Sequence, residues 1–227
     1  MALPGRFAVW RFNWLANHKL VSGLERARSH ARGVLLDVGC GAKPFESMFR
    51  GFVSRYLGLD LAGSPEVGGV RLDVVARAES LPIRNGAIDT VLAISMVNRL
   101  REPRLMLEEA RRVLRPGGVL ILELEQMAPV YRPPHDYWRF TRYGADWLLE
   151  SSGFEVIERT ALGGVMARVG LSLIGALNRV NRGPTRVITE VPVRIAYILI
   201  QVTFELLDRV WVDPGEVISH LFVARRR

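Results

Sequence analysis

The sequence predicts an α/β fold, a doubly wound and mostly parallel sheet with helices on both faces, on three observations. Short apolar runs bounded by turn residues or charges predict strands, and they cover residues 34–38, 56–60, 70–75, 88–94 and 119–124. Helical apolar patterns stand between or after such runs. Most of the runs are nearly continuous, which indicates strands covered on both faces and therefore a parallel sheet.

Amphipathic helices are predicted around these strands. Residues 7–32 carry apolar residues among polar ones and predict one or two helices that cover the sheet. A helix at 103–115 has an apolar face, and the turn Pro116-Gly117-Gly118 ends it. Thr141 is a candidate cap and Gly153 a candidate stop for a further helix between them.

The last third of the chain changes character. After a strand at 154–157, the segments 161–177 and 191–207 are strongly apolar, but neither has the roughly 18–20 uncharged residues that span a bilayer. A last strand at 217–224 makes the apolar part an insertion between two strands, and insertions of that length are usually functional or interfacial. We predict one domain with four parts: a helical cover (1–32), a core (33–160), an apolar helical insertion (161–212) and a last strand with a basic tail (213–227).

Composition limits the function classes. The chain has 227 residues, 49% of them hydrophobic, which suffices for a substantial core. One cysteine, Cys40, excludes a disulfide framework within the chain, and the first thirty residues lack the pattern of a secretory signal, so a cytoplasmic location is expected. The net charge of +8 suits nucleic acid or an anionic membrane. Only two of the 31 basic residues are lysines, however, and the arginines are scattered, so direct nucleic-acid binding is unlikely on this pattern.

The first strand leads into a candidate cofactor site. Its acid, Asp37, is followed by Gly39 and Gly41, and glycine lets the backbone approach a ligand without a Cβ in the way. A helix beginning near Pro44 would direct its free N–H groups at the same space. This order of residues predicts a site for a nucleotide-type cofactor.

Four separated motifs narrow the cofactor. They are Leu36-Asp37-Val38-Gly39-Cys40-Gly41, Gly58-Leu59-Asp60, the stretch 78–92 and Leu114-Arg115-Pro116-Gly117-Gly118-Val119-Leu120. In this order, within residues 33–160, they resemble the class I S-adenosylmethionine-dependent methyltransferases, and most of all the methyltransferase type 11 group. The resemblance implies a Rossmann-like, seven-stranded methyltransferase fold, S-adenosyl-L-methionine as cofactor and a methyl-transfer activity.

The resemblance also implies which residues bind the cofactor. Asp37 and the glycine turn would meet its methionine part, and Asp60 would accept both ribose hydroxyls. A turn acid and a strand-end acid are the plain alternatives for these two. Leu81-Pro82 would pack on the adenine edge. The full predicted set is Asp37, Gly39, Cys40, Gly41, Asp60, Leu61, Ala78, Glu79 and Ser95.

Three positions depart from the family pattern. Arg77 stands where relatives often carry the acid that accepts the adenine amino group, and Glu79 is the nearest substitute. Lys43-Pro44 replaces a glycine, as it does in one subgroup of the family. Asn98 and Arg99 stand where relatives commonly have Glu-His, and could face the cofactor or the acceptor.

The segment after the fifth strand carries the candidate catalytic residues His135, Asp136, Tyr137 and Arg139. Residues 133–141, Pro-Pro-His-Asp-Tyr-Trp-Arg-Phe-Thr, resemble a signature of bacterial methyltransferases tied to surface-glycan assembly, the subgroup that also carries Lys-Pro. His135 is the natural general base for the proton that the acceptor loses. Asp136 would orient it or bind a sugar hydroxyl, and Arg139 would pair with an acceptor anion. In the alternative interpretation these side chains only brace the loop.

The other reactive side chains are expected to be structural. Cys40 would pack beneath the cofactor, because methyl transfer needs no covalent intermediate. His18, His30 and His220 are isolated, and no His/Cys cluster has metal-ligand spacing, so no metal is expected.

The leading hypothesis is O-methylation of a sugar, a lipid-linked glycan or a small metabolite. RNA or protein methylation is the alternative among enzymes, and it lacks a basic stripe with interleaved aromatics and an Asn-Pro-Pro-Tyr-type motif. A non-catalytic, cofactor-binding scaffold at a membrane surface is the alternative from another class.

Apolar residues at helical spacing mark the insertion. They permit a buried face on two helices, a homodimer interface or a peripheral contact of 161–210 with an anionic membrane, which the surplus of arginines there favours. The residues are Leu171, Leu173, Ile174, Leu177, Ile195, Ile198, Leu199, Val202 and Leu206.

Overall fold

The computed structural model describes residues 8–181, 186–211, 213 and 215–227. The elements are α1 (Trp14–Ala27), β1 (Val34–Val38), α2 (Glu46–Phe49), β2 (Arg55–Asp60), β3 (Val74–Val75), β4 (Ile88–Ala93), α3 (Pro103–Val113), β5 (Leu114–Glu125), α4 (Arg142–Ser151), β6 (Phe154–Leu162), α5 (Val165–Val180), α6 (Arg186–Val210) and β7 (Ser219–Arg226). Short 3-10 helices lie at Arg28–His30 and Val97–Arg99.

The strands form one seven-stranded sheet in the order β3-β2-β1-β4-β5-β7-β6. β1 pairs in parallel with β2 and with β4, and parallel pairs also join β2 to β3 and β4 to β5. The prediction of a doubly wound, mostly parallel α/β fold is therefore confirmed. From β1 the chain first builds outward through β2 and β3, then returns to the other side of β1 for β4 and β5. Open α/β sheets bind ligands at such a switch point.

Burial of the central strands in the core explains why these apolar runs form strands. Leu36 and Val91 are register partners in the centre of the sheet, and both are fully buried, as is Leu120 on β5. α3 begins with Pro103 at its first turn, a favoured position for proline. Its apolar face packs into the same cluster through Met106, Leu107, Ala110 and Val113.

Several element boundaries differ from the prediction. β6 extends to Leu162, where a strand at 154–157 was predicted. Lys43 adopts a positive φ of 51°, so the helix predicted from Pro44 begins only at Glu46 and has one turn. The strand predicted at 70–75 shrinks to the two residues of β3. α3 ends two residues early because Leu114 is already extended, and Pro116-Gly117-Gly118 lies within β5. β7 begins and ends two residues later than predicted.

The chain divides into two compact units, where the sequence predicted one domain. One contains Met1–Gly23 and Ala161–Ser219, and the other contains Leu24–Thr160 and His220–Arg227. We call them the helical unit and the sheet unit. The helical unit has its own apolar clusters, for example Leu15 with Ala167 and Ile218, which explains the division.

The two insertion helices are α5 and α6, and only some of their apolar residues are buried within the chain. On α5, Ile174 is buried, Leu171 and Leu177 are partly buried and Leu173 is exposed. Most of the predicted residues of α6 are exposed, namely Ile195, Leu199, Val202 and Leu206. No helix among the described residues is long and apolar enough to cross a membrane. Residues 1–7 of the predicted helical cover and residues 182–185 and 212 of the predicted insertion lie outside the described residues.

Candidate cofactor and acceptor site

The predicted site residues meet at the carboxyl edge of the sheet. Asp37 lies near the end of β1, Asp60 ends β2, and Ser95 follows β4. Register pairs Asp37 with Gly58 on one side and with Leu92 on the other. Since all these strands are parallel, their ends bring the acids and the glycine turn to one edge.

The glycine turn is shaped by its backbone. Gly39 and Gly41 have φ of 72° and 49°, values that side chains disfavour. Gly39 and Cys40 each donate an N–H to the carbonyl of Leu59, at 2.8 and 3.0 Å. A Cβ on Gly39 would stand 3.0 Å from Cβ of Met96, so a larger residue has no room there. A Cβ on Gly41 would likewise lie 3.2 Å from the carbonyl oxygen of Glu66, so both positions favour glycine.

Asp37 is a buried acid with little compensation. Its exposed fraction is 3%, and Tyr56 donates a short hydrogen bond to it. Burial raises the pKa of Asp37 to about 7; the hydrogen bond from Tyr56 opposes this, and the negative charge of Asp60 adds to it. The positive charge of Lys43 also opposes the rise, but the Lys43 ammonium pairs with Asp73 at 2.5 Å. The Asp37 carboxylate fits the ammonium of the amino-acid end of S-adenosylmethionine, which would supply a cationic partner.

Asp60 is held at the edge by backbone donors. Its carboxylate accepts from the N–H of Gly41 at 2.8 Å and from that of Leu61 at 2.7 Å. The acid therefore links β2 to the glycine turn, and each oxygen keeps a lone pair for a further donor. This arrangement is compatible with the ribose contact implied by the resemblance.

The predicted adenine side is more occupied. Ala78 is buried, and Glu79 pairs with Arg77 at 3.2 Å. The N–H of Leu81 donates to Glu109 at 2.7 Å, so this backbone group is already used. Ala78 and Glu79 are thus placed near β3, and nothing in their contacts singles out an acceptor for the adenine amino group.

Ser95 is held in an unusual conformation. Its φ is 52°, uncommon for a residue with a side chain. Glu123 of β5 accepts hydrogen bonds from both its N–H and its hydroxyl, each at 2.8 Å. The sequence did not point to Glu123, because this contact depends on β4 and β5 being neighbours.

Asp136 and Arg139 form a hydrogen-bond network within the loop after β5. The two pair through both carboxylate oxygens, at 2.7 and 2.8 Å. The carbonyls of Ala128, Pro129 and Trp138 accept the other three N–H groups of Arg139. All five donors of the guanidinium are therefore used. This geometry favours the bracing interpretation for Arg139 over pairing with an acceptor anion.

Asp136 is equally committed. Besides Arg139 it accepts from Asn98 at 3.0 Å and from the N–H of Tyr131 at 2.7 Å. The hydrogen bonds from Arg139 hold its pKa well below the usual range, so it stays ionised as a structural acid. Asn98 thus faces the loop.

His135 is oriented by Tyr137, where the sequence suggested Asp136. Nδ1 of His135 lies 3.1 Å from the hydroxyl of Tyr137, and Nε of Arg101 donates to the same hydroxyl at 3.2 Å. The hydroxyl oxygen has two lone pairs and can accept from both. In that arrangement Nδ1 of His135 carries the proton and Nε2 keeps a free lone pair.

The loop after β5 is docked on the segment after β4. The N–H groups of Tyr137 and Trp138 donate to the carbonyl of Asn98 at 2.8 and 3.2 Å, and the indole of Trp138 donates to Leu100. Asn98 also reaches Glu125, at 3.3 Å. Burial, reinforced by the charge of Glu123, raises the pKa of Glu125 to about 7.

Glu66 ties three loops of the edge together. This acid of the loop after β2 pairs with Arg99, after β4, at 3.3 Å and with Arg132, after β5, at 2.9 Å. Its carbonyl would lie 3.2 Å from a Cβ on Gly41. Arg99 therefore faces Glu66, and the loop after β2 lies against the glycine turn.

The remaining reactive side chains have structural partners. Cys40 is buried, and burial raises the pKa of its thiol to about 12, so it stays protonated. His18 stacks on Trp14, His30 bonds Glu158 at 3.0 Å and His220 bonds Gln126 at 2.9 Å. No cluster of potential metal ligands occurs within the described part of the chain.

An α/β fold with a glycine turn and two edge acids defines the class I methyltransferase type of cofactor site. Comparison with known proteins agrees: residues 36–122 match the family model of the methyltransferase domain. A protein of Methanocaldococcus jannaschii that has not been characterised is 31% identical over 104 residues, 45% of this chain and 48% of that protein. A methyltransferase of Mycobacterium ulcerans, also uncharacterised, is 33% identical over 113 residues, 45% and 44% of the two chains.

The fold agrees with solved structures. The crystal structure of an S-adenosylmethionine-dependent methyltransferase from Thermotoga maritima superposes with a TM-score of 0.60 at 16% identity, covering 98% of this chain and 93% of that one. The match over residues 36–122 and the shared fold agree with the predicted class of S-adenosylmethionine-dependent methyltransferases. It spans about half the length of the curated relatives it matches, and neither relative has an assigned substrate.

Proposed function

We propose that the protein transfers the methyl group of S-adenosylmethionine to an oxygen of a sugar, a lipid-linked glycan or a related small metabolite. The observation that carries this proposal is His135, a base held by Tyr137 on a loop at the same sheet edge as the glycine turn. The cofactor supplies the activated methyl carbon, so the protein must position the acceptor and remove one proton.

His135 suits that proton transfer. With Nδ1–H donating to Tyr137, Nε2 accepts the proton of an acceptor hydroxyl as its oxygen takes the methyl group. Arg101 donates to the same tyrosine hydroxyl and so fixes the orientation of the phenol. Asp136 and Arg139 act one step away, by holding the loop that carries the histidine.

Exposed aromatic rings on this loop support a sugar-like acceptor. Tyr131, Tyr137 and Trp138 are 50%, 37% and 43% exposed. Each offers an apolar ring beside a polar tip, which suits a ligand with apolar faces and hydroxyl edges. A lipid-linked acceptor would place the protein at the cytoplasmic side of a membrane, and we include such a peripheral location in the proposal.

Replacing His135 with alanine tests the assignment. Methyl-labelled cofactor is supplied with fractionated glycan and lipid extracts, and cofactor binding is measured separately by calorimetry. We expect H135A to lose at least about 100-fold in turnover, in the range of general-base contributions, with the dissociation constant of the cofactor within about twofold, since His135 lies outside the glycine turn.

His30→Ala is the matched control, since this histidine bonds Glu158 and lies away from the loop. Unchanged turnover in H135A would remove the histidine from the reaction. Cofactor binding without turnover on any fraction, in the unmodified protein, would leave the scaffold interpretation instead.

A further inference from the structure

The last long helix, α6, is amphipathic with its polar face turned inward. Gln201, Glu205 and Asp208 are all at most 7% exposed. They lie at spacings of four and three residues, on one side of the helix. Polar side chains normally occupy the solvent side of a surface helix. The inner face of α6 therefore has a specific task, and its outer face is left to apolar residues.

The inner polar side chains serve helix ends within the helical unit. Asp208 accepts from the N–H groups of Gly164 and Ala167, at 2.9 and 3.0 Å, and so caps the start of α5. Gln201 accepts from the N–H of Leu15 at 3.0 Å, at the start of α1. Lys19 of α1 pairs with Glu205 and Asp208, at 2.8 Å each. These contacts fix the rotation of α6.

The outer face of α6 is a continuous apolar stripe. It consists of side chains spaced by four or three residues, which places them in one row along the helix. Their exposed fractions run from 42% to 87%. Trp211, 62% exposed, follows directly after the helix. We call this surface the α6 stripe; it comprises Val191, Ile195, Leu199, Val202, Leu206 and Val210.

The exposed charged side chains within the stripe, residues 191–210, are arginines. Between residues 191 and 211 the acids are Glu205 and Asp208, both buried. Arg194 and Arg209 are exposed on the same stretch, with side chains 54% and 63% accessible. Glu190, one residue before the stripe, pairs with Arg194 at 2.5 Å, and the buried Glu205 pairs with Arg209 at 3.1 Å. An apolar row flanked by these exposed guanidinium groups complements a surface that is apolar beneath and negative above, and a terminal tryptophan suits the boundary between the two.

The stripe is small for a partner protein. It is about 30 Å long at 1.5 Å per residue, and at a width of about 10 Å it would bury about 300 Å². A stable protein interface buries about 800 Å² per partner. A bilayer sets no such area requirement, because each apolar side chain inserted contributes by itself.

We propose that the α6 stripe is a docking surface for an anionic phospholipid bilayer, with α6 lying along the headgroup boundary and its polar face kept on α1 and α5. This assigns a surface to the peripheral location included in the proposed function. It rests on the contacts of the helical unit alone, so it holds or fails independently of the methyl acceptor.

Flotation with vesicles tests the proposal on the whole chain. The vesicles are phosphatidylcholine alone or with phosphatidylglycerol added. We expect the protein to float with the anionic vesicles. The double variant Leu199→Glu with Leu206→Glu should bind them about 100-fold more weakly, since each leucine withdrawn from lipid contributes about tenfold. Arg194→Gln should weaken binding about fivefold, the contribution of one basic residue near an anionic surface.

Leu105→Glu is the matched control, because Leu105 is an exposed leucine of α3 in the sheet unit, 46% accessible. Circular dichroism and calorimetric binding of S-adenosylmethionine establish that each variant is folded. Failure of the unmodified protein to float, or equal flotation with neutral vesicles, would overturn the proposal. So would a dimer in analytical ultracentrifugation that the double variant abolishes, since a second copy would then cover the stripe.

Discussion

The glycine turn and the loop after β5 are built in opposite ways. The turn depends on backbone geometry: Gly39 and Gly41 at positive φ, with N–H groups donated to Leu59 and Asp60. The loop depends on side chains, above all the Asp136–Arg139 pair and its five neighbours. A backbone requirement can be recognised in a sequence because only glycine meets it. A hydrogen-bond network of side chains cannot be recognised in this way, because the same residues would also suit a catalytic role.

Gly39→Ala should have the largest effect and would separate the two regions most sharply. A Cβ there meets Met96 at 3.0 Å and forces a side chain into a positive φ. We expect cofactor affinity to fall about 100-fold, from about 1–2 kcal/mol of backbone strain and a further contact penalty. Calorimetry with S-adenosylmethionine measures it.

Gly86→Ala is the control for this substitution. Gly86 has a similar φ of 61° but nothing within 4 Å of its Cβ position. Gly86→Ala should lower the free energy of unfolding and leave the affinity for the cofactor unchanged. Equal loss of affinity in both variants would mean that strain acts through the whole fold and that the turn has no special demand for space.

Arg139→Lys tests the hydrogen-bond network of Asp136 and Arg139. Lysine cannot reproduce the two-oxygen contact with Asp136 or the three carbonyl contacts, so the loop should loosen. Losing such contacts costs about 2 kcal/mol, and we expect kcat/KM to fall about 30-fold while cofactor affinity stays within twofold. Arg142→Lys, at a guanidinium that contacts the hydroxyl and the ring of Tyr143, serves as the neighbouring control.

A different split would contradict the structural role of the loop. If R139K raised KM for an acidic acceptor only, with neutral acceptors unaffected, Arg139 would act on the acceptor anion as the sequence suggested. The comparison of kcat with KM across acceptors therefore decides between bracing and binding.

The sequence predicted the sheet well and the partners of side chains poorly. The apolar runs fix the strands, and the glycine motif fixes Asp37 and Asp60, because these signals are local. Tyr56, Glu123 and Glu66 were missed, since each acts on a residue of another element. Their contacts depend on strand order and register, which no single stretch of sequence contains.

α6 shows the same limit. Helical spacing correctly grouped the apolar residues of one face, but it could not say which way that face points. Its opposite face carries Gln201, Glu205 and Asp208, whose capping contacts with α1 and α5 turn the apolar residues outward. Capping partners from distant parts of the chain decided the orientation.

The pH dependence of cofactor binding tests the donor side. Asp37 has a pKa raised to about 7, whereas an ammonium partner needs its ionised form. As pH increases toward 7, the affinity for the cofactor should therefore increase by up to about tenfold per pH unit. Above about pH 8 the affinity should decline, because an α-amino group loses its proton there. Asp37→Asn should remove the rise. Tyr56→Phe, which deletes the donor that lowers the pKa, should move it to higher pH.

Stability should respond to pH with the opposite sign. Because the pKa of Asp37 is about 7 in the folded state against 3.8 as the ordinary value, the folded state binds more protons in between. The free energy of unfolding should therefore fall as pH rises from about 4 to 7 and level off above. Thermal unfolding of D37N against the unmodified protein measures this contribution, and parallel curves for the two would assign the pH dependence to other groups.

Glu66→Gln should have the smallest effect and tests whether the two regions communicate. Burial opposes the ionisation of Glu66. Hydrogen bonds from Ser64 and from its own backbone outweigh burial, together with the charges of Arg99 and Arg132, and the pKa of Glu66 is lowered. Glu66 is therefore charged at neutral pH. Glutamine keeps the shape and loses both ion pairs. The partly exposed pairs contribute about 1 kcal/mol or less, so we expect cofactor affinity to fall about threefold.

The effect of Glu66→Gln should shrink in 1 M salt, where exposed charges are screened. Glu108→Gln, which breaks a pair with Arg104 on the outer face of α3, should change nothing. If E66Q also slows turnover at saturating cofactor, the loop after β2 transmits the state of the glycine turn to the loop after β5 through Arg132. If only the affinity for the cofactor changes, the hydrogen-bond network of Asp136 and Arg139 holds the loop after β5 independently of the glycine turn.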